Sequence, residues 1–127
     1  PERLDSWHFR GLCKYFLDQY EEAIKDFDQA IELDPELSES QYSDSWLFRG
    51  TCKYFLDQYE EAIKDLDKAI ELDPQYSDSW SYRGLCYYEL DENEEAIDNF
   101  DRALDLNPND TRSFDYRSKA LVKDKEN

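Results

Sequence analysis

The chain copies itself, and that limits its fold more than any other feature. Residues 5–35 and 44–74 differ at only four of 31 aligned positions: His8/Leu47, Leu12/Thr51, Phe27/Leu66 and Gln29/Lys68. A third, looser copy runs from Asp78 to Pro108. Trp recurs at 7, 46 and 80, Gly at 11, 50 and 84, Cys at 13, 52 and 86, and Pro at 35, 74 and 108. The spacings are 39 and then 34, the difference being five extra residues, Glu36–Ser40 (ELSES), at the first joint. A period in this range marks one unit built several times, each burying its apolar face against its neighbours.

Within a unit the periodicity is helical. In EEAIKDFDQAIEL, residues 21–33, the apolar residues Ala23, Ile24, Phe27, Ala30 and Ile31 form one stripe with charges on the other face. The preceding segment, Asp5–Leu17, lacks Pro and starts with Asp and Ser, which can cap a helix. Asp18-Gln19 is a polar break, and the recurring Pro closes each hairpin because it cannot continue the helix ladder. The pattern predicts an all-α chain of seven helices over 5–17, 21–33, 44–56, 60–72, 78–90, 94–106 and 111–123. The last is a lone capping helix with Phe114, Ala120 and Leu121 on its apolar face and a face rich in Lys and Arg. ELSES falls outside both flanking helices and is expected to form a surface bulge, with Ser43 or Asp44 capping the next helix as Ser77 or Asp78 does later. Arg10, Arg49, Arg83 and Arg117 recur once per copy, and Asp26, Asp28, Asp65, Asp67 and Asp101 recur on the second helices. These predict a ladder of Arg–Asp pairs across the helix interfaces.

Charge narrows the partners. With 15 Lys+Arg against 32 Asp+Glu the net charge is −17, which repels nucleic-acid phosphates and anionic membrane surfaces. Apolar runs are too short to span a bilayer or to form a secretory signal core. A cytoplasmic module is expected, and the absence of any Met suggests a fragment of a longer chain.

Catalytic chemistry finds no constellation. The three Cys share one repeated column at spacings that suit neither zinc nor an adjacent thiol pair, so they read as small buried apolar residues. His8 and Cys13 are five residues apart, on the wrong faces for a nucleophile pair. The only Gly are the repeat glycines, which excludes a phosphate loop. The acidic run Asp91–Glu95 lacks the glycine and ligand order of a calcium loop and reads as a solvated helix start. No enzyme activity, metal or cofactor is expected.

The columns Trp7, Gly11, Tyr15, Ala23, Phe27, Ala30, Pro35, repeated as Trp46 to Pro74 and Trp80 to Pro108, are very similar to the tetratricopeptide repeat pattern. Two departures are the Tyr, one residue later than the commonest position, and Arg where the pattern usually has Leu. The resemblance implies a single domain, an α-solenoid of antiparallel helix hairpins wound into a right-handed superhelix. Its parts are repeat one over 4–35, the insert over 36–40, repeat two over 43–74, repeat three over 77–108 and the capping helix over 111–123.

The resemblance also implies a concave groove lined by the first helices and holding a partner's peptide or helix. Carried over by column, repeat one gives Asp5, His8, Leu12 and Phe16, with Phe9 and Tyr15 beside them. Repeat two gives Asp44, Leu47, Phe48, Thr51 and Phe55, and repeat three gives Asp78, Ser81, Tyr82, Leu85 and Glu89. This acidic, aromatic surface suits a basic and apolar segment. Family members that clamp an acidic chaperone tail do so with groove cations, at columns that hold His8, Leu12, Phe48, Asp78 and Tyr82 here. The expectation is therefore that such tails are repelled. A protein-interaction scaffold is the leading reading; the alternative is a self-associating structural module, duplicated recently or engineered.

Overall fold

The computed structural model describes residues 2–34 and 44–126. Among them are seven α-helices and no strand: α1 Glu2–Phe16, α2 Tyr20–Leu33, α3 Ser45–Phe55, α4 Tyr59–Leu72, α5 Ser77–Glu89, α6 Asn93–Leu106 and α7 Thr111–Glu126. Each packs chiefly on the helix before and after it, and α1, α3, α5 and α7 also touch in succession. The order is that of stacked hairpins with α7 packed on α6 and α5. The insert Glu36–Ser40 lies outside the described residues, as do Pro35 and Ser43.

The turn inside each hairpin is closed by an aspartate in the left-handed region, Asp18, Asp57 and Asp91, with φ near 60°. In α1 the amide of Gln19 donates to the Lys14 carbonyl at 2.8 Å and that of Asp18 to Tyr15 at 3.0 Å, and the other two turns repeat both bonds. This is the Schellman arrangement, which normally uses Gly. Asp tolerates it better than most side chains. Asp18 and Asp57 also accept the hydroxyls of Tyr20 and Tyr59 at 2.9 Å. The helices α4 and α6 stop two residues before Pro74 and Pro108.

Capping departs from the expectation. α1 starts at Glu2, so Asp5 lies inside it. Asp44 precedes α3 without a side-chain cap bond, and Tyr76, not Ser77 or Asp78, precedes α5. A side-chain cap is found at α7, where Asp110 accepts the Ser113 amide at 3.1 Å. Tertiary packing, supplied on both sides by neighbouring helices, makes local caps dispensable.

The repeated glycines permit close helix approach within each hairpin. A Cβ at Gly11 would sit 2.7 Å from Phe27, and one at Gly84 the same distance from Phe100. Ser118 takes this column in α7, behind which no second helix stands among the described residues, and is exposed. Phe114 is exposed for the same reason, since the Trp column it occupies packs on its own unit's second helix; Ala120 and Tyr116 do the covering instead. The arginine ladder forms. Arg49 joins Asp28 of α2 (2.7 Å) to Asp65 of α4 (2.8 Å), Arg83 reaches Asp67 (2.7 Å), Arg117 pairs with Asp101 and Arg10 with Asp26 (3.3 Å). Arg10, Arg49 and Arg83 each stack over a Trp ring at about 5 Å.

Candidate functional site

The first helices carry a continuous lane of rings. Phe48 of α3 meets Tyr15 of α1 edge-on at 5.0 Å, Tyr82 of α5 meets Tyr54 of α3 at 5.8 Å, and Tyr116 of α7 meets Tyr88 of α5 at 5.3 Å. Each contact joins one unit to the next, so these rings serve stacking first. Burial raises the Tyr15 and Tyr54 hydroxyls above the usual phenol range, with neighbouring groups, Tyr82 and Glu89 respectively, adding to it. Phe16 and Phe55, last in their helices, remain accessible at 72% and 42%.

Five of the residues assigned to the groove surface are buried: His8, Leu47, Thr51, Ser81 and Leu85. They fill the space between helices. His8 Nδ1 lies 2.7 Å from Ser45 Oγ, the Ser113 and Ser81 hydroxyls pair at 2.9 Å, and Thr51 donates to the Leu47 carbonyl at 2.8 Å. The column reading missed this because adjacent first helices come closer than an exposed groove wall requires. Asp5, Leu12, Asp44, Phe48, Asp78 and Tyr82 are half-buried, and Glu89 is exposed with Phe16 and Phe55.

The electrostatics run in two directions along the lane. Asp44 sits 3.6 Å from His8 Nε2; burial raises its carboxyl, against the pull of His8, and lowers the His8 imidazole. Burial likewise raises Asp78, opposed by Arg112. Asp44 Oδ1 is buried and accepts no hydrogen bond among the described residues. At the α7 end the sign reverses. Arg112 donates to the Tyr82 hydroxyl at 3.0 Å with its guanidinium 4.3 Å over that ring, Lys119 lies 4.4 Å over Tyr116, and Lys123 lies 3.9 Å over Tyr88 and 2.7 Å from Asp91.

Of the columns His8, Leu12, Phe48, Asp78 and Tyr82, the one able to carry a cation is the buried His8, and three cations reach the lane from α7 instead. They were legible in principle, because aligning α7 with the other first helices puts Arg112 in the Asp78 column and Lys123 in the Glu89 column. Cys13 is a further correction. Cys52 and Cys86 are buried, and burial pushes their thiols up to about 12, but Cys13 is exposed.

No helix among the described residues is long and apolar enough to cross a membrane. A 41-residue stretch is 49% identical to the human mitochondrial import receptor subunit TOM70, covering 32% of this chain and 7% of that protein. The first TPR of Spaghetti (RPAP3) bound to the HSP90 peptide SRMEEVD superposes with a TM-score of 0.86 at 22% identity, over 95% of this chain and 92% of that one. The second TPR domain of human RPAP3, in complex with the HSP70 peptide SGPTIEEVD, gives 0.84 at 28% identity, over 94% and 96%. Domains of this fold thus bind acidic tails, so the fold gives no ground for excluding them. The sequence model of the tetratricopeptide repeat matches residues 4–37 and 77–110, and a second TPR repeat model matches 54–91. With these matches on most of its length and seven helices in stacked hairpins, the chain belongs to the tetratricopeptide repeat family.

Proposed function

We propose that this chain is a non-catalytic protein-interaction scaffold whose first helices hold an extended or helical segment bearing apolar and basic side chains. One observation carries the reading: the half-buried carboxylates Asp44 and Asp78 flank a lane in which Phe16 and Phe55 stand open. A carboxylate raised by burial gains most from a ligand cation that hydrogen-bonds to it, and the Asp44 side chain keeps 35% of its surface open to such a ligand. The exposed rings supply apolar anchors. The net charge of −17 would speed encounter with a basic partner. Three free thiols suit a reducing, cytoplasmic setting.

Fluorescence anisotropy against peptides of matched length tests this. A basic, apolar peptide should bind, lose affinity with added salt, and weaken by roughly 1–2 kcal/mol on Phe55→Ala, the cost of a contributing interface aromatic. Tighter binding of SRMEEVD than of any basic peptide would overturn the charge assignment and give the ligand-facing role to Arg112, Lys119 and Lys123.

A further inference from the structure

Phe55 owes its place in the lane to a ring from the unit before it. It is the last residue of α3, so no further turn of that helix stands behind its ring. Tyr20 of α2 lies against it, the two rings stacked at 4.8 Å and 21°, while Tyr54 and Tyr82 meet it edge-on at 5.3 and 6.3 Å. Tyr20 is itself tied down at both ends. Its backbone begins α2, just after the left-handed turn at Asp18, and its hydroxyl donates to Asp18 at 2.9 Å. Phe55 thus stands 42% exposed, with its orientation set by rings on α2, α3 and α5.

The same columns meet differently further along the stack. Tyr59 keeps the turn and the bond, donating to Asp57 at 2.9 Å, but the column of Phe55 holds Glu89 in α5. Burial, the Asp57 bond and then the Glu89 carboxylate raise the Tyr59 hydroxyl to about 12, so a carboxylate acts on it where a ring acts on Tyr20. At the next joint the pair is Asn93 and Lys123. The stacked pair therefore marks the joint of the first two units. Tyr59 is its chemical twin, with no ring of the next unit in that column to hold.

We propose that Tyr20 is the positioning residue of the Phe55 anchor: stacked on Phe55 and tethered to Asp18, it holds that ring in its binding orientation before a partner arrives and so fixes which joint takes the partner's apolar side chain. The proposal rests on the peptide-binding reading of the lane. An interface side chain that is already ordered gives up less rotamer freedom on binding, and the difference appears in affinity.

One readout needs no ligand. In protein carrying para-fluorophenylalanine, the Phe55 fluorine signal, assigned by its loss in Phe55→Ala, should move toward its random-coil position in Tyr20→Leu and stay in place in Tyr59→Leu. The second readout is the affinity of a decapeptide alternating leucine and arginine, followed by fluorescence anisotropy. With circular dichroism unchanged, Tyr20→Leu should weaken binding roughly three- to tenfold, Tyr20→Phe less because the ring remains, and Tyr59→Leu by no more than about twofold. In a Phe55→Ala background the Tyr20→Leu loss should vanish, which a general loosening of the joint would not do. An unmoved fluorine signal in Tyr20→Leu would overturn the proposal, as would equal losses at Tyr20 and Tyr59 or a loss that survives Phe55→Ala. If the peptide fails to bind the wild-type chain, the reading of the lane as a basic-peptide site fails, and the fluorine signal still decides whether Tyr20 holds Phe55.

Discussion

The second and third units solve the same problem with different charges. In the second, Asp65 is almost wholly buried and receives Arg49 through two hydrogen bonds, 2.9 Å from Nε and 2.8 Å from Nη2, with Lys53 at 3.0 Å. In the third, the matching column holds Asn99, which accepts from Arg83 Nε at 2.7 Å and donates to the Glu95 carbonyl at 2.8 Å, and Tyr87 stands where Lys53 was. The acid and its lysine have left together. What stays in both is the arginine and its reach to the preceding unit, Asp28 or Asp67. Holding units together therefore needs the arginine fork, whereas its local acceptor need only be an oxygen.

The comparison breaks most visibly at the arginines. Arg49→Ala leaves the buried Asp65 carboxylate with Lys53 alone and should cost about 3–5 kcal/mol. Arg83→Ala orphans a neutral amide oxygen and should cost about 1–3 kcal/mol. Urea denaturation of the two variants should separate them in that order. Equal losses would mean that the bridge to the preceding unit, and not the local acid, sets the energy.

Next come the glycines behind those sites. Gly84→Ala drives a methyl to 2.7 Å from the Phe100 ring, while at Gly50 the nearest atom is Leu66 Cγ at 3.0 Å. Overpacking costs about 1–3 kcal/mol, against which Ala returns about 1 kcal/mol of helix propensity. Gly84→Ala should therefore destabilise by about 1 kcal/mol more than Gly50→Ala, read from the shift in urea midpoint.

A smaller effect should come from converting one site into the other. Asp65→Asn alone leaves Arg49 and Lys53 facing each other without the carboxylate between them, and Lys53→Tyr alone leaves Asp65 short of one cation. Together they rebuild the pattern of the third unit, so the double variant should lose about 1 kcal/mol less than the sum of the singles in a double-mutant cycle.

How much of this the sequence revealed follows from what kind of contact is involved. The helices and the arginine ladder were legible because both follow from periodicity, which repeats in every copy. The burial of His8, Leu47, Thr51, Ser81 and Leu85 was not, because a column position fixes direction around a helix but not how near the next first helix lies. The exposure of Cys13 and Phe114 was missed for a related reason. Each occupies a column more covered elsewhere, buried at Cys52 and Cys86 and half-buried at Trp46 and Trp80, and the neighbour that covers it there has no counterpart among the described residues. The α7 cations escaped because the helix was read as a cap, although its columns align with those of the groove.

The smallest effect concerns the joints between first helices, where the column of His8 reads Leu47 in the second unit and Ser81 in the third. Only the first joint can titrate near neutrality. Burial holds the His8 imidazole below its ordinary value of 6.5, outweighing Asp44 and Asp5, while the unfolded chain takes up a proton near that value. Below about pH 6.5 the unfolded state binds more protons than the folded one, so stability falls with falling pH, by at most about 1.4 kcal/mol per pH unit for one site. Above that range the contribution is fully present. Asp44, raised by burial, acts with the opposite sign, so the profile is read in an Asp44→Asn background, where His8 is the member of the pair that titrates. His8→Leu installs the residue of the second unit, gives up the bond to Ser45, and should flatten that part of the melting-temperature profile. A slope that survives the substitution would place the titrating group elsewhere and leave the two joints electrostatically alike.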